Sequence, residues 1–301
     1  MWLQSNIGEL AAFGTAIFWT ITALAFESAS LKVGSLSVNI IRLCIGFIFI
    51  STFTFFSRGL LFPTDANSMQ WLWLSLSGLI GFVLGDLFLF KSYTLIGSRF
   101  AMLIMTLVPP LTAIQGRLFL NETLNGFHIL GMSLTLAGIA LAILQRDALT
   151  NGFTFKLSVK GMLFAFAGAL GQSGGLILSK IGMSNNYNPF AATQIRIITG
   201  IIGFVILITV LKRWKGVFTS LTNGKAMTRI GLGSFFGPFL GVSFSLIAVQ
   251  YTQTGIASTI MAIVPILIIP PSIFIFKQKI TVWESIGAFI SVAGVALFFI
   301  F

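Results

Sequence analysis

The feature of this sequence that most limits its fold is a series of apolar runs that recurs along the whole length. Runs of about 20 residues match the roughly 30 Å hydrocarbon layer of a bilayer when wound as α-helices at about 1.5 Å per residue. Hydrophobic residues make up 56% of the 301 positions and charged residues only 8%. Because soluble domains carry about 25% charged residues, the chain is expected to be an integral membrane protein.

The apolar runs favour helices over a transmembrane β-barrel. The segments Val38–Phe56 and Gly200–Leu211 are apolar on every face, whereas barrel strands alternate apolar and polar residues. The sequence therefore predicts an all-α membrane protein with ten transmembrane helices. Their predicted ranges are 7–27, 38–57, 70–92, 98–117, 125–145, 159–180, 189–211, 227–249, 255–276 and 281–300.

The two halves of the chain are similar in sequence. The longest polar connection in the middle, Gln145–Lys160, suggests a division into residues 1–147 and 148–301, with five helices in each part. The order of matched residues is kept across four helices, which indicates a duplication. An offset of 156 pairs Gly81 with Gly237, Gly85 with Gly241, Ala101 with Ala257, Met105 with Met261, Pro109 with Pro265, Gly131 with Gly287 and Gly138 with Gly294, and an offset of 154 pairs Arg42 with Arg196 and Gly46 with Gly200.

An odd number of helices in each half has a geometric consequence. The second half must enter the membrane from the side opposite to the first, so the two parts are expected to be inverted five-helix repeats. Inverted repeats that meet at a site near the membrane midplane are the structural basis of alternating access in many secondary transporters.

Several motifs resemble a known family. The first half contains Gly85-Asp86, Gly97-Ser98-Arg99-Phe100-Ala101, Leu107-Val108-Pro109, Phe119-Leu120-Asn121-Glu122 and Gly131 with Gly138. The second half has Ala257, Val264-Pro265 and Gly287 with Gly294, and Gln278 where the family often has Glu. This set is similar to the drug/metabolite transporter superfamily, EamA branch. The resemblance implies ten helices in inverted repeats and the export or uptake of small metabolites.

The distribution of basic residues gives an orientation that conflicts with this resemblance. Of 18 basic residues, three lie on the side that carries both termini, two lie within helices, and thirteen lie on the opposite side. Because basic loops face the cytoplasm, the count places both termini outside, whereas family members usually have them in the cytoplasm. In either orientation a multi-pass protein of the inner (plasma) membrane is expected.

Asp86 is the carboxylate that lies farthest from a predicted helix end, about 16 residues into the third helix. A charge in the hydrocarbon layer is costly and is usually functional or paired. Asp86 is therefore either a coupling site for protons or another cation, or the partner of Arg99 or Lys91. Arg42 and Arg196 are expected near opposite membrane faces, where they either extend to the interface or attract a substrate carboxylate or phosphate.

Proline and polar residues suggest where a substrate cavity lies. Pro109 and Pro265 interrupt equivalent helices, and such breaks often border transporter binding sites. Ordinary helix packing is the competing interpretation. The residues expected to line the cavity are Trp19, Asp86, Tyr93, Met105, Gln172, Ser173, Gln250 and Met261.

Other function classes fit less well. Gly171–Gly175 matches the G-x-S-x-G pattern of hydrolases, but the expected strand–turn–helix context is missing. One Cys and one His do not suggest a metal site, no nucleotide-binding loop is present, and no cofactor is expected. The formal charge of +11 is spread over short loops, which indicates membrane topology and lipid contact rather than nucleic acid binding.

The leading hypothesis is therefore a secondary transporter for a small polar metabolite, such as an amino acid or a related amine. Protons are the expected coupling ion if transport is driven, and membrane lipids are the other expected partner. The alternative is a lipid flippase or another non-catalytic membrane protein.

Overall fold

The chain folds as a bundle of α-helices in a computed structural model that describes residues 6–123, 125–143, 158–274 and 282–300. Eight helices of this part are long and apolar enough to cross a membrane. In chain order the helices are α1 (Ile7–Val33), α2 (Ser35–Arg58), α3 (Ser68–Ser98), α4 (Phe100–Leu120), α5 (Gly126–Ile143), α6 (Val159–Gly182), α7 (Pro189–Val210), α8 (Trp214–Leu221), α9 (Gly224–Tyr251), α10 (Thr254–Pro271) and α11 (Val282–Ile300).

The helices lie where the apolar runs place them, with ends that differ by up to about six residues, a normal error for sequence-based boundaries. The predicted number of ten membrane crossings stays a prediction, and so does the domain boundary, since residues 147 and 148 lie outside the described part. Helix α8 is additional. It has only eight residues, and its apolar run is too short to predict as a membrane helix.

Local capping explains several helix ends. Gly34, with a φ of 83°, ends α1 and allows α2 to start immediately after it. Asn67 and Gln70 form a reciprocal capping box at the start of α3, each side chain bonding the other backbone at 2.9 Å. Asn188 caps α7 by accepting hydrogen bonds from two backbone N–H groups, and Pro189 follows at the first helical position.

The duplicated sequence carries duplicated irregularities. Helix α3 contains a π-helical segment at Leu79–Asp86, and α9 contains another at Phe235–Gly241, which starts 156 positions later. Pro109 and Pro265 both stand in the first turn of a helical segment that follows a break in α4 or α10. Because π-helical segments often occur at functional sites, the region around these two segments is a candidate location for the functional site.

Glycines let α3 pack closely against α6, which belongs to the other half. A Cβ atom added to Gly171 would lie 2.6 Å from the Cα of Gly85, and one added to Gly175 would lie 3.1 Å from the Cα of Gly81. Ser77 reinforces the contact by donating a hydrogen bond to the Gly175 carbonyl at 2.6 Å. Close approach through small residues is how membrane helices gain van der Waals contact, so this contact joins the halves.

Helices α5 and α11 also pack through small residues. A Cβ atom on Gly138 would lie 2.5 Å from the backbone nitrogen of Ser291, and the hydroxyl of Ser291 donates to the Thr135 carbonyl at 2.8 Å. These two helices are equivalent in the two halves, so each half contributes one member of the pair.

The glycine contact between α3 and α6 yields a first prediction. Gly171→Val should lower stability by about 1–3 kcal/mol, because overpacking at a backbone contact forces the helices apart. The thermal unfolding midpoint of the detergent-purified protein measures the effect. Gly174→Ala is the matched control, since a Cβ atom there meets its nearest neighbour, Ile80, at an ordinary 3.4 Å. Equal midpoints for the two variants would show that this packing is not limiting.

Candidate functional site

A cavity of about 90 Å³ lies between the two halves of the bundle. Its wall is formed by α1, α2, α3, α4, α6, α7, α9 and α10, and most of the lining side chains are buried. Apolar side chains dominate the wall, and its polar members are Trp19, Thr22, Arg42, Asp86, Tyr93, Gln172, Arg196, Ser245 and Ser258.

Six of the eight residues expected in a cavity line this one: Trp19, Asp86, Tyr93, Met105, Gln172 and Met261. The other two lie elsewhere. Ser173 follows Gln172 on α6 and is therefore rotated by about 100° toward α4, where it accepts a hydrogen bond from Gln115 at 3.2 Å. Gln250 is near the end of α9 and donates to the Tyr187 carbonyl at 3.0 Å, outside the cavity.

Of the two prolines that were predicted to border the cavity, one lines it and the other does not. Pro265 lines the cavity, whereas Pro109 is buried behind it and its carbonyl accepts a hydrogen bond from Thr112. The two breaks are equivalent in sequence but do not contribute equally to the wall.

The centre of the cavity wall holds a buried ion pair. The guanidinium of Arg42 bonds Asp86 at 2.5 Å, and its Nε donates to the Asn39 side chain at 3.1 Å. The side-chain amide of Asn39 in turn donates to the backbone carbonyl of Asp86 at 3.3 Å. Two polar contacts, the ion pair and this hydrogen bond, therefore join α2 to α3. The ring of Phe90 stacks 4.7 Å from the guanidinium carbon. Arg42 is thus held in place by charge, hydrogen bonds and an aromatic ring.

This pairing corrects the sequence-based expectation that Asp86 bonds Lys91 or Arg99. Lys91 is exposed, and the side chain of Arg99 lies outside the described part. Asp86 is the last residue of the π-helical segment, which changes the rotation of α3 at that point. A prediction based on regular helical spacing could not orient the carboxylate toward α2.

Arg42 and Arg196 were expected near opposite faces of the membrane, and this is wrong. Both line the same cavity, with guanidinium carbons 5.6 and 4.8 Å from the ring of Phe82. Each arginine is the eighth residue of its helix, about 10 Å from the helix start. That depth is close enough to the bundle centre for two long side chains to converge.

Arg196 lacks the partners that Arg42 has. It is 2% exposed, its Nε has no hydrogen-bond partner, and it forms no ion pair with the described residues. Among the charged side chains of the wall, one carboxylate therefore faces two guanidinium groups. The cavity carries a net positive charge that its described lining leaves unbalanced.

One end of the bundle is closed by a polar cluster of five residues, here called the Glu122 cluster. Glu122 forms an ion pair with Lys180 at 2.7 Å and accepts bonds from the backbone and the hydroxyl of Thr254 at 2.9 and 2.6 Å. Lys180 also donates to the Thr252 carbonyl at 2.8 Å, and the Thr252 hydroxyl donates to Glu9 at 2.9 Å. The cluster joins α1, α6, α10 and the loop after α4, and thus both halves.

A related contact lies at the equivalent position of the first half. Ser98 precedes Thr254 by 156 positions, and its hydroxyl donates to Glu27 at 2.6 Å. Each half therefore has a hydroxyl at the junction between the π-helical helix and the helix that follows it, bonded to a glutamate. Sequence analysis missed both glutamates because they lie near helix ends, although the offset that pairs Ser98 with Thr254 was a usable signal.

Polar side-chain contacts join the loop after α2 to the segment between α6 and α7. Arg58 and Asp65 form an ion pair at 2.5 Å, and the Tyr187 hydroxyl donates to Asp65 at 3.4 Å. Burial and the neighbouring Asp65 raise the pKa of Tyr187 to about 12, so it remains a donor throughout the physiological range. This contact also lies between the halves.

The buried ion pair gives a second prediction. Asp86→Asn should lower the thermal unfolding midpoint strongly, because losing one partner of a buried pair leaves an uncompensated charge and costs about 3–5 kcal/mol. The double variant Arg42→Gln with Asp86→Asn should recover much of this loss, since neither charge then remains. A double variant no more stable than Asp86→Asn alone would contradict the pairing.

Comparison with known proteins relates this architecture to a transporter family. The EamA-like transporter family matches the chain twice, over residues 6–144 and 159–300. A solved structure described only as "Crystal structure of protein" shares the fold with a TM-score of 0.71 at 18% identity, covering 96% of this chain and 95% of that chain. Comparison with curated protein sequences finds no significant match. Since the two family matches together cover nearly the whole chain, the protein belongs to the EamA-like transporter family.

Proposed function

We propose that this protein is a secondary transporter that moves a small polar metabolite across the inner (plasma) membrane by alternating access. In this proposal α5 and α11 complete ten membrane crossings, arranged as two inverted repeats of five. The observation that supports it most directly is a buried, charged cavity to which both halves contribute. A central site between two repeats is what alternating access requires.

The contacts at the helix ends fit such a mechanism. The Glu122 cluster holds the halves together at one end, and the bond between Ser98 and Glu27 lies at the equivalent position of the first half. We propose that these contacts form and break in turn as the helices that carry them change their relative positions during transport. Hydrogen bonds and ion pairs suit this role because water replaces the lost partners when a contact opens.

The polar members of the wall favour a polar solute. Amino acids and related amines or drug-like solutes of similar size remain the candidate substrates, and protons the candidate coupling ion. A carboxylate such as Asp86 can bind a proton only when its pair with Arg42 opens, which would link protonation to the conformational change. The direction of transport is left open by this proposal.

A lipid flippase is the alternative. Such a protein needs a lateral opening with an apolar lining, whereas this cavity is lined by residues that are mostly buried and includes three charged side chains. Hydrolysis by Ser173 is not supported by geometry either. Its hydroxyl donates to the Leu170 carbonyl at 3.1 Å within its own helix, which occupies the proton that a general base would remove.

Reconstitution tests the carrier function. Liposomes that contain the purified protein should take up at least one member of a panel of radiolabelled amino acids, amines and organic acids, with saturable kinetics. If transport is coupled to protons, an imposed pH gradient should change the uptake rate. Protein-free liposomes are the control. Movement of fluorescent phospholipids between leaflets, with no solute uptake, would contradict the carrier proposal and favour the flippase.

Opening of the Glu122 cluster is tested separately. In a Cys44→Ser background, Ser258→Cys places a thiol in the cavity wall, four residues after Thr254. Lys180→Gln should increase labelling of this thiol by a membrane-impermeant maleimide added on the Glu122 side, by about tenfold or more, because the closing contact loses its ion pair.

The matched control for that experiment is Arg58→Gln, which removes an ion pair away from the cavity. It should leave the labelling rate of the Ser258→Cys thiol nearly unchanged. Equal rates for the Lys180→Gln and Arg58→Gln variants would show that the Glu122 cluster does not close the path to the cavity.

A further inference from the structure

The two arginines of the cavity occupy equivalent positions but have different surroundings. Arg42 bonds Asn39, three residues before it, and Asp86 on α3. The residues at the equivalent positions of the second half are Thr193, three residues before Arg196, and Val242 on α9. The two π-helical segments start 156 positions apart; Asp86 is the last residue of the first, and Val242 is the first residue after the second, so the sequence offset holds in this region.

The second half therefore keeps the cation but has lost both of its partners. The Nε of Arg196 and the hydroxyl of Thr193 are buried without a hydrogen-bond partner, whereas Arg42 Nε has Asn39. Val242 is buried, lines the cavity and has no acceptor in its side chain. Asp86 faces the same cavity but is bonded to Arg42, so Arg196 has no carboxylate of its own. A buried guanidinium without its own counter-charge is energetically costly, and proteins normally provide one for it.

Two glycines keep space beside this guanidinium. A Cβ atom on Gly81 would lie 3.0 Å from the Nη2 atom of Arg196, and one on Gly175 would lie 3.5 Å from it. Since both positions lack a side chain, the guanidinium lies against the backbone of α3 and α6 there and gains no polar side-chain partner from either position. The cavity wall thus contains a cation without an ion-pair partner of its own, among largely apolar side chains.

We propose that Arg196 binds the carboxylate of the transported solute, which supplies the counter-charge that Asp86 gives to Arg42. The solute is then a small organic acid or a zwitterion such as an amino acid, with its apolar part against Trp19, Met105 and Met261. This inference rests on the proposed carrier function and narrows its substrate class, because it excludes amines that carry no acid group.

Charge balance and shape favour a carboxylate over other groups. The described wall has two guanidinium groups and one carboxylate, a net charge of +1 that a monoanionic acid neutralises. A zwitterion supplies the carboxylate for Arg196 but leaves the net charge at +1, so an organic acid is favoured over an amino acid. A phosphomonoester carries about −1.5 to −2 at pH 7 and would leave a buried excess of negative charge. A solute whose only charged group is an ammonium would add a cation and supply no partner for Arg196. The planar guanidinium also matches a carboxylate in bidentate geometry.

The test uses two series of probes with a constant apolar part. The phenyl series is 3-phenylpropionate, L-phenylalanine, phenethylamine and phenethyl phosphate, and the branched series is 4-methylvalerate, L-leucine, isoamylamine and isoamyl phosphate. Binding to the purified protein is measured by calorimetry and by the shift of its thermal unfolding midpoint. Carboxylates of at least one series should bind, with the amine and phosphate of that series at least about tenfold weaker. Binding of no carboxylate, or equal binding of the amine, would overturn the proposal.

Two variants localise the binding. Val242→Asp should supply an internal counter-charge to Arg196, as Asp86 does for Arg42, and so weaken carboxylate binding by about 30-fold or more. It should also leave the unfolding midpoint equal or higher, which separates loss of the site from misfolding. Val242→Asn changes the side-chain shape equally without the charge, so the Asp variant should bind at least about tenfold more weakly than the Asn variant. Equal binding by these two variants would contradict the assignment.

Arg196→Gln provides a second route if Val242→Asp does not fold. Removing an unpaired buried cation should not lower the unfolding midpoint, yet carboxylate binding should fall by about 30-fold or more. Unchanged binding would overturn the inference. If the protein transports amines and Arg196→Gln does not change that transport, the carboxylate inference is refuted and the carrier function is supported. If carboxylates bind but no solute is taken up, the carrier function is refuted and the binding site is supported.

Discussion

The cost of placing charge in an apolar interior governs how this bundle is organised. Two guanidinium groups and one carboxylate face a single small cavity, and only one of the two cations is neutralised by the protein itself. A buried charge without a partner is costly, so the arrangement favours either an ion pair or a bound anion. Arg42 and Asp86 follow the first route, and the surroundings of Arg196 leave the second one open.

The fold places those charges by repeating one structural device. Each half has a helix with a π-helical segment, and both segments contribute residues to the wall of the cavity that holds the two arginines. The glycine contact between α3 and α6 then brings the halves close enough for both arginines to reach the same ring of Phe82. Close backbone packing and convergence of charge are therefore linked, because wider helix spacing would separate the two guanidinium groups.

Much of this could be predicted from the sequence, and the failures have physical causes. Apolar length and polar punctuation located the helices, and the offset of 156 indicated the duplication. The partner of Asp86 could not be predicted, because a π-helical segment changes the rotation that regular spacing implies. Ser173 and Gln250 were wrongly predicted to line the cavity for a related reason. A polar residue is unusual in a membrane helix, but its polarity does not indicate which neighbouring group forms its hydrogen bond.

Duplication also explains how such a site can acquire a substrate preference. If both halves were identical to the first, each would carry an arginine paired with its own carboxylate. The cavity would then have no unpaired charge that could bind a solute. The second half has Val242 and Thr193 where the first has a carboxylate and an amide, so Arg196 keeps the equivalent position without those internal partners. In the proposed mechanism the same helices provide one arginine held in a structural pair and one that binds the solute, and the difference between the halves, more than their similarity, then sets the specificity of the cavity.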